Sequence, residues 1–177
     1  MNLRYGNRRL MEELFNQFGW RITMEEASLP DGHKKKTPRI ERCDSVHILA
    51  FLEPETLLLL REFRPFYDEW IWMLPSGRVD KETDVIAAAQ RELQEETGYR
   101  AEFLKHYSTT HQSESIKIAN HLFLAHDLVK DPLTQDDDER IEVHSVSVED
   151  AIQKVLQSPV VHTVSAYGLL RYAHEQS

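Results

Sequence analysis

The sequence predicts an α+β fold, layered as an α/β/α sandwich, with a small β-hairpin extension at the N-terminus. The first observation is the order of the patterns, because β-rich stretches precede a helix and are followed by further β-rich stretches and then helices. The second is the length of 177 residues, which suits one domain with a small extension. The third is an apolar share of 41%, which is ordinary for a globular protein.

The N-terminal stretch predicts a short helix followed by a hairpin. Between residues 7 and 18, the apolar Leu10, Leu14 and Phe15 are separated by polar residues in an amphipathic helix pattern. Within residues 20–43, residues 20–27 alternate loosely and a Leu-Pro-Asp-Gly turn signal follows at residues 29–32. This second pattern is typical of a hairpin that precedes the main sheet.

Apolar and β-rich runs predict the strands of the main sheet. They span residues 45–52, 56–63, 70–74, 101–109, 116–128 and 141–148. A tight turn at residues 53–55 joins the first two runs into a hairpin of buried strands. Residues 149–156 and 164–174 predict two helices, which Pro159 separates.

A further helix is predicted over Val85–Thr97, which is rich in Ala, Leu, Gln and Glu. Thr83 and Asp84 precede it, and their side-chain oxygens can accept hydrogen bonds from N–H groups of the first turn. Gly98 follows at the place where a helix ends in the left-handed conformation. The start and stop signals therefore agree on the bounds of this helix.

The predicted helix carries clustered acidic residues. Glu92 and Glu96 are one turn apart on the same face, with Glu95 beside them. Like charges at this spacing repel, and a divalent cation would offset the repulsion because Mg²⁺ and Mn²⁺ prefer carboxylate oxygens. The alternative is a solvated acidic face, which most Glu-rich helices present.

Composition and charge exclude several classes of protein. The formal net charge of −9 argues against non-specific nucleic-acid binding, which needs a basic surface. The single cysteine, Cys43, cannot form an intrachain disulfide. The first residues are charged and lack an apolar core, and no apolar run approaches the roughly 18 residues of a membrane span. We therefore expect a cytoplasmic protein with neither a membrane nor a nucleic acid as partner.

The stretch from Gly77 to Tyr99 resembles the Nudix box. The residues in register with that motif are Gly77, Arg91, Glu92, Leu93, Glu95, Glu96, Gly98 and Tyr99. One position departs, because Thr83 stands where the family has a mainly structural glutamate, and a neighbouring acid would have to substitute. The resemblance implies the Nudix fold, with Gly77, Arg91 and Gly98 as structural residues of the motif.

Outside the box, the chain is similar to the ADP-ribose pyrophosphatases of that family. Residues 61–65 resemble their basic segment, Ser113-Glu114 resembles a Ser-Glu pair in their substrate loop, and residues 138–144 resemble their acidic loop and the strand that follows it. The loop at residues 109–112 lacks the Pro-Gly pair that this subgroup commonly has. This second departure leaves other nucleotide sugars open as substrates.

The resemblance implies a metal-dependent hydrolysis. The implied ligands of Mg²⁺ or Mn²⁺ are Glu92, Glu95, Glu96 and the backbone carbonyl of Ser76. Cleavage of an anionic pyrophosphate also needs a positioned water molecule and a base. Glu139 is the implied general base, with Glu96 as second choice and the adjacent Asp136, Asp137 and Asp138 as alternatives.

Three residues are candidates for binding the substrate: Arg64, Arg78 and Glu114. The planar guanidinium of Arg64 matches the oxygens of a phosphate group, so Arg64 is the first candidate for phosphate contact. The alternative for Arg64 is a salt bridge to the acidic helix.

The sequence therefore predicts an enzyme that hydrolyses ADP-ribose to AMP and ribose 5-phosphate. The alternatives are a hydrolase of another nucleotide sugar such as GDP-mannose, and a non-catalytic module that binds a nucleotide. Residues 44–177 are predicted to form the Nudix domain, and residues 1–43 a dimerisation element. An isolated hairpin is marginal in water, so we expect this element to pack against a second copy in a homodimer, with Trp20 and Trp70 at the interface.

Overall fold

The computed structural model describes residues 8–80, 84–135 and 137–176. In chain order its elements are β1 (Arg8–Gln17), β2 (Trp20–Ser28), β3 (Lys34–Glu41), β4 (Ser45–Glu53), β5 (Thr56–Arg64), β6 (Glu69–Met73), β7 (Ser76–Arg78), α1 (Val85–Thr97), β8 (Tyr99–His111), β9 (Ile116–Lys117), β10 (Ala119–Lys130), β11 (Ile141–Ser147), α2 (Val148–Leu156) and α3 (Thr163–Gln176).

The chain divides into two compact units. The first unit extends to Asp44 and also includes Thr110–Ala119, and the second comprises Ser45–Thr109 together with the chain from Asn120 onward. The sequence-based division into residues 1–43 and 44–177 stays a prediction.

The first unit is a four-stranded sheet in the order β1-β2-β3-β9. The predicted hairpin is confirmed, since β2 and β3 pair antiparallel from Arg21 opposite Glu41 to Ser28 opposite Lys34. Strand β9 then adds to β3 in parallel, with Ile116 opposite Ile40.

The helix predicted between residues 7 and 18 is wrong, because Arg8–Gln17 forms strand β1. This strand pairs antiparallel with β2 through a two-residue turn in which Phe18 and Gly19 both have positive φ. Its register shifts twice, between Leu10 and Glu12 and again between Glu13 and Phe15. Such bulges add residues to one strand, so they disrupt the two-residue alternation that would have identified β1 as a strand.

The second unit is built on a seven-stranded sheet in the order β11-β5-β4-β10-β8, with β6 paired to β5 and β7 paired to β4. Strands β4 and β10 are parallel, whereas β5 is antiparallel to β4, β6 and β11. The predicted strands of the main sheet are present, although the run 116–128 is divided between β9 and β10.

Helices cover both faces of this sheet. Val46 and Ile48 of β4 pack in a buried cluster with Ala89 and Leu93 of α1. Leu49, the next residue on β4, points to the opposite face and belongs to a second cluster, which includes residues of α2 and α3. A strand buried on both faces is a continuous apolar run, as the sequence of β4 is. The predicted α/β/α sandwich is therefore confirmed, and the predicted helix over Val85–Thr97 has the same bounds in the structure.

None of the helices in the described ranges combines the length and the apolar character that a membrane crossing requires.

Candidate active site

The site is built around the short segment that joins β6 to β7. Pro75 accepts a hydrogen bond at its carbonyl from the N–H of Ile48 at 2.9 Å, and β7 then pairs with β4, so that Ser76 lies opposite His47 and Gly77 opposite Val46. The backbone of Ser76 and Gly77 is thereby attached to a central strand of the sheet.

Helix α1 begins and ends at the predicted capping residues. The carboxylate of Asp84 accepts a hydrogen bond from the N–H of Ile86 at 3.0 Å, and Gly98 adopts the left-handed conformation with φ of 76°. The other predicted capping residue, Thr83, and its neighbour Glu82 lie outside the described residues. Because Ala89 and Leu93 are buried against the sheet, the same face of the helix directs Glu96 inward.

Glu96 is the most deeply buried carboxyl group of α1, with 6% of its surface exposed. Its Oε2 accepts a hydrogen bond from the Ser76 N–H at 2.7 Å. Burial raises the pKa of Glu96 well above its usual value, and the bond from Ser76 opposes this shift only in part. Glu96 is thus bound to the residue whose carbonyl the family resemblance implies as a metal ligand.

Glu92 lies against Gly77. A Cβ atom added to Gly77 would come within 1.9 Å of the Glu92 Cδ, so only glycine leaves space for this carboxylate. Burial raises the pKa of Glu92 to about 7, while Arg91 lowers it and Glu95 and Glu139 raise it further. The predicted Gly77 is therefore required by close approach of a side chain rather than by its backbone conformation.

Arg91 links the acidic residues of the helix to the strand before it. Its guanidinium pairs with Glu92 at 2.8 Å and with Glu95 at 2.5 Å, and it donates to the Arg78 carbonyl at 3.2 Å. The side chains of Glu92 and Glu95 are only 12% and 14% exposed. The alternative of a solvated acidic face is therefore wrong, since both carboxylates are largely withdrawn from solvent and pair with Arg91.

The chemistry of these donors fits a hard divalent cation. Buried carboxylates that repel one another become less costly when a cation neutralises them, and their oxygens are the ligands that Mg²⁺ and Mn²⁺ prefer. In this conformation Arg91 and the Ser76 N–H pair with the three carboxylates. Within the described ranges, no three acidic, histidine or cysteine side chains are gathered closely enough to hold a metal ion.

Glu139 lies close enough to this group to act on it electrostatically. Its charge raises the pKa of Glu92 and of Glu96. The end of its loop is attached to β5, because the N–H of Phe63 donates to the Arg140 carbonyl at 3.0 Å. Arg140 in turn donates to the carbonyls of Asp137 and Glu139, both at 2.8 Å.

The Asp residues that precede Glu139 are the alternative bases. Asp137 and Asp138 are exposed, whereas Glu139 is partly buried, and Asp136 lies outside the described residues. Among the candidate bases of this loop that the structure describes, Glu139 is thus the one that is partly withdrawn from solvent.

Arg64 pairs with a residue of its own strand rather than with the acidic helix. Its Nη2 lies 2.7 Å from Glu62 Oε2 and 3.2 Å from the Met73 sulfur. Glu62 is 4% exposed, and burial raises its pKa to about 7, with Arg64 lowering it and Glu139 raising it. Sequence reasoning did not select Glu62 as a site residue, and a glutamate among the charged residues that end β5 is a signal that could have indicated it.

Arg78 and Glu114 have ion-pair partners of their own. Arg78 lies in β7, and its Nε is 3.2 Å from Asp80 Oδ2. Glu114 belongs to the first unit, where its Oε2 lies 2.7 Å from Lys35 Nζ. The predicted roles of both residues in substrate binding stay predictions.

Two histidines, buried His47 and half-buried His162, lie on the side of the sheet that α3 covers, and sequence reasoning selected neither. The rings of His47 and His162 have centroids 5.4 Å apart. Burial lowers the pKa of His47 to about 3 and that of His162 to about 4, and the positive charge of Arg64 contributes to the second shift. Both imidazoles are therefore neutral near pH 7.

The chain is similar to several known proteins. The ADP-ribose pyrophosphatase of Bacillus subtilis (strain 168) is 29% identical over 162 residues, which cover 89% of this chain and 87% of the relative. The methanol dehydrogenase activator of Bacillus methanolicus is 24% identical over 84% of this chain and 82% of the relative. The crystal structure of an ADP compounds hydrolase superposes with a TM-score of 0.71 at 21% identity, over 96% of this chain and 92% of that chain.

The family assignment rests on a match over more than half of the chain. The family model of the NUDIX domain matches residues 41–164, a range that contains the whole motif from Gly77 to Tyr99. The predicted fold and family are confirmed by this match together with the structural similarity. The chain belongs to the NUDIX domain family and is a hydrolase.

Proposed function

We propose that the protein hydrolyses the pyrophosphate bond of a nucleoside diphosphate sugar, and that its preferred substrate is ADP-ribose, which yields AMP and ribose 5-phosphate. The observation that carries this proposal is the placement of Glu92 and Glu96 against the backbone of Gly77 and Ser76. Support for the substrate comes from the relative in Bacillus subtilis, whose name is ADP-ribose pyrophosphatase.

In this proposal Glu92, Glu95, Glu96 and the Ser76 carbonyl hold Mg²⁺ or Mn²⁺. A bound divalent cation neutralises phosphate charge and lowers the pKa of a coordinated water molecule. Arg91 pairs with Glu92 and Glu95 and so keeps these carboxylates aligned when the substrate arrives. Gly77 leaves space for the Glu92 carboxylate beside the strand.

Glu139 acts in this proposal as the general base that takes the proton of the attacking water. A carboxylate that holds a cation loses basicity, so a separate acid residue is the better acceptor. The electrostatic effect of Glu139 on Glu92 and Glu96 supports its proximity to them. Glu96 is the second candidate for this role.

Arg64 and Arg78 bind the substrate in this proposal, and a role of Glu114 in substrate binding stays a prediction from the sequence. The Arg64 guanidinium is partly exposed on one side and anchored on the other by buried Glu62, which suits it to contact a phosphate group. Arg78 follows directly after Gly77, at the start of the motif.

We further propose that the protein is a homodimer, with residues 1–43 as the dimerisation element. Strand β1 is an edge strand, and it carries Leu10, Met11 and Leu14 with about half of each side chain exposed. Exposed apolar residues along a sheet edge are typical of an interface. A cytoplasmic location and the lack of a nucleic-acid partner stay predictions from the sequence.

The proposed activity is tested with the purified protein, Mg²⁺ or Mn²⁺, and a panel of nucleotide sugars that includes ADP-ribose and GDP-mannose. Mass spectrometry of the products identifies the bond that is cleaved. We expect ADP-ribose to give the highest kcat/KM and to yield AMP with ribose 5-phosphate. A higher kcat/KM for GDP-mannose would contradict ADP-ribose as the preferred substrate. A lack of turnover with every nucleotide sugar of the panel would contradict the proposed reaction.

A further inference from the structure

His47 on β4 and His162 directly before α3 form a pair that the proposed reaction does not use. Their ring planes are tilted by 41°, with centroids 5.4 Å apart. His47 lies opposite Ser76 in the pairing of β4 with β7, and His162 is connected to Leu74 through Ser165. The pair is therefore attached at both ends to the segment that presents Ser76 to Glu96.

The hydrogen bonds of Ser165 determine which nitrogen of His162 carries the proton. Ser165 Oγ accepts from the Leu74 N–H at 2.9 Å and lies 2.7 Å from His162 Nδ1. Among the described residues, His162 Nδ1 is the acceptor available to the Ser165 hydroxyl proton. A neutral imidazole that accepts at Nδ1 carries its proton at Nε2.

The hydrogen bonds of Ser45 determine the tautomer of His47 in the same way. The Ser45 hydroxyl donates to Asn120 Oδ1 at 2.8 Å, so its 2.9 Å contact with His47 Nε2 is a bond that His47 donates. His47 Nδ1 is then a bare acceptor. It is buried, in a residue that is 4% exposed, and it has no hydrogen-bond partner within the part of the chain that the structure describes. A buried acceptor without a partner destabilises the folded state.

The proton donor of His162 and the free acceptor of His47 are complementary. His162 has an N–H donor at Nε2, and the ring that it faces, His47, has the acceptor that lacks a donor. Ring nitrogens lie outside the ring centroids, so centroids 5.4 Å apart are compatible with a direct N–H···N bond after a small ring rotation.

We propose that His162 Nε2–H donates a hydrogen bond to His47 Nδ1, and that the resulting chain from the Leu74 N–H to Asn120 Oδ1 positions the backbone of Ser76. Every donor in this chain points in the same direction, through Ser165, His162, His47 and Ser45. The consequence for metal binding rests on the proposed function, in which the Ser76 carbonyl and Glu96 hold the cation. Both histidines are positioning residues, because neither touches the cation or the substrate.

The hydrogen bond is tested by NMR on the full-length protein with ¹⁵N-labelled histidine. We expect the Nε2–H tautomer for both residues and a scalar coupling between His162 Nε2 and His47 Nδ1. An Nδ1–H tautomer at either residue, or the absence of the coupling, would overturn the proposed chain. This experiment requires neither metal nor substrate, so it stands apart from any failure of the proposed activity.

The positioning role is tested with His162→Asn, whose shorter side chain keeps an acceptor near Nδ1 for Ser165 but has no group at Nε2. Mn²⁺ binding is followed by the electron paramagnetic resonance of the free ion. We expect the dissociation constant to rise roughly tenfold, as for residues that orient a metal ligand. The matched control is His33→Asn, in an exposed turn, which should leave Mn²⁺ binding unchanged.

Circular dichroism separates this role from a purely structural one. A variant that unfolds at a lower temperature but binds Mn²⁺ as tightly as the wild type would show that the pair only stabilises the fold, and would contradict the positioning role. A wild-type protein that does not bind Mn²⁺ would contradict the proposed metal site, while the NMR result would still decide whether the hydrogen-bond chain exists.

Discussion

At the scale of single residues, the carboxyl groups of Glu92 and Glu96 differ from ordinary surface glutamates because they lie on the buried side of α1. Burial without full compensation raises the pKa of both groups. Such groups are costly to the fold unless a cation or a proton neutralises them. Buried charged groups that destabilise the fold in this way are typical of functional sites.

Glu139→Gln tests the proposed base. We expect kcat to fall by on the order of 10²–10⁴, the usual range for loss of a general base, with little change in metal affinity. The acidic limb of the pH–rate profile should flatten, because this limb reports protonation of the base. The matched variants Asp137→Asn and Asp138→Asn should stay active. An active Glu139→Gln together with an inactive Asp variant would place the base upstream of Glu139.

Glu62→Gln tests the effect of carboxyl burial on stability. Burial raises the pKa of Glu62 from 4.5 to about 7, so between these values the folded protein binds a proton that the unfolded chain does not. The contribution of Glu62 to stability is therefore fully present below pH 4.5 and is lost as the pH rises towards 7. In EDTA, the free energy of unfolding from urea titrations should fall less steeply over this range in Glu62→Gln than in the wild type.

The control for this titration is Glu142→Gln, since the Glu142 side chain is 45% exposed and is bound to Arg61 on the surface. We expect this variant to keep the pH dependence of the wild type. If the free energy of unfolding of Glu62→Gln fell with pH as steeply as that of the wild type, the raised pKa of a buried Glu62 carboxyl group would be contradicted.

At the scale of secondary-structure elements, α1 could be predicted from the sequence because its signals are local. The Asp84 cap, the helix-forming residues and the Gly98 stop all act within a few residues of the backbone they control. Strand β1 could not be predicted, since its bulges remove the alternation and its pairing with β2 depends on the Phe18-Gly19 turn. A phenylalanine with positive φ is an uncommon first residue for such a turn.

Substitution of the glycine at each end of the motif should have different effects, one on stability and the other on activity. In Gly98→Ala, a side chain is placed in a left-handed conformation, which should cost about 1–2 kcal/mol of stability while the activity of the folded protein is retained. In Gly77→Ala, the new Cβ displaces the Glu92 carboxylate, so activity should be lost with the fold preserved. Urea unfolding and steady-state kinetics on both variants check this division. Full activity in Gly77→Ala would show that the position of Glu92 is unimportant.

Part of the candidate site could also be predicted from the sequence, because the residues of that part are close together in the chain. Gly77, Arg91, Glu92 and Glu96 lie within one stretch, and its spacing on a strand end and a helix brings them together. Glu62 acts by its charge on Glu96, and Glu139 acts on Glu62. The pairing that places Glu62 opposite Ile141, next to the loop of Glu139, spans more than 70 residues, and no local pattern indicates it.

At the scale of the whole molecule, the edge strand β1 leads to a prediction about assembly. We expect sedimentation velocity or light scattering at micromolar concentration to give the mass of a dimer, about twice the 20.7 kDa of one chain. Leu14→Lys should shift this mass towards the monomer, because a buried lysine in the interface would be desolvated. A monomeric wild type at these concentrations would contradict the homodimer.

The most direct test of the account as a whole is hydrolysis of ADP-ribose in ¹⁸O-labelled water with saturating Mg²⁺, followed by mass spectrometry of the products. For the wild type we predict AMP and ribose 5-phosphate, with one ¹⁸O atom in one of them. Glu92→Gln and Glu96→Gln should lower kcat by on the order of 10² or more, since each removes charge stabilisation at the reacting phosphate. The exposed Glu102→Gln should have no effect. Full kcat in Glu92→Gln, or no labelled product from the wild type, would contradict the account.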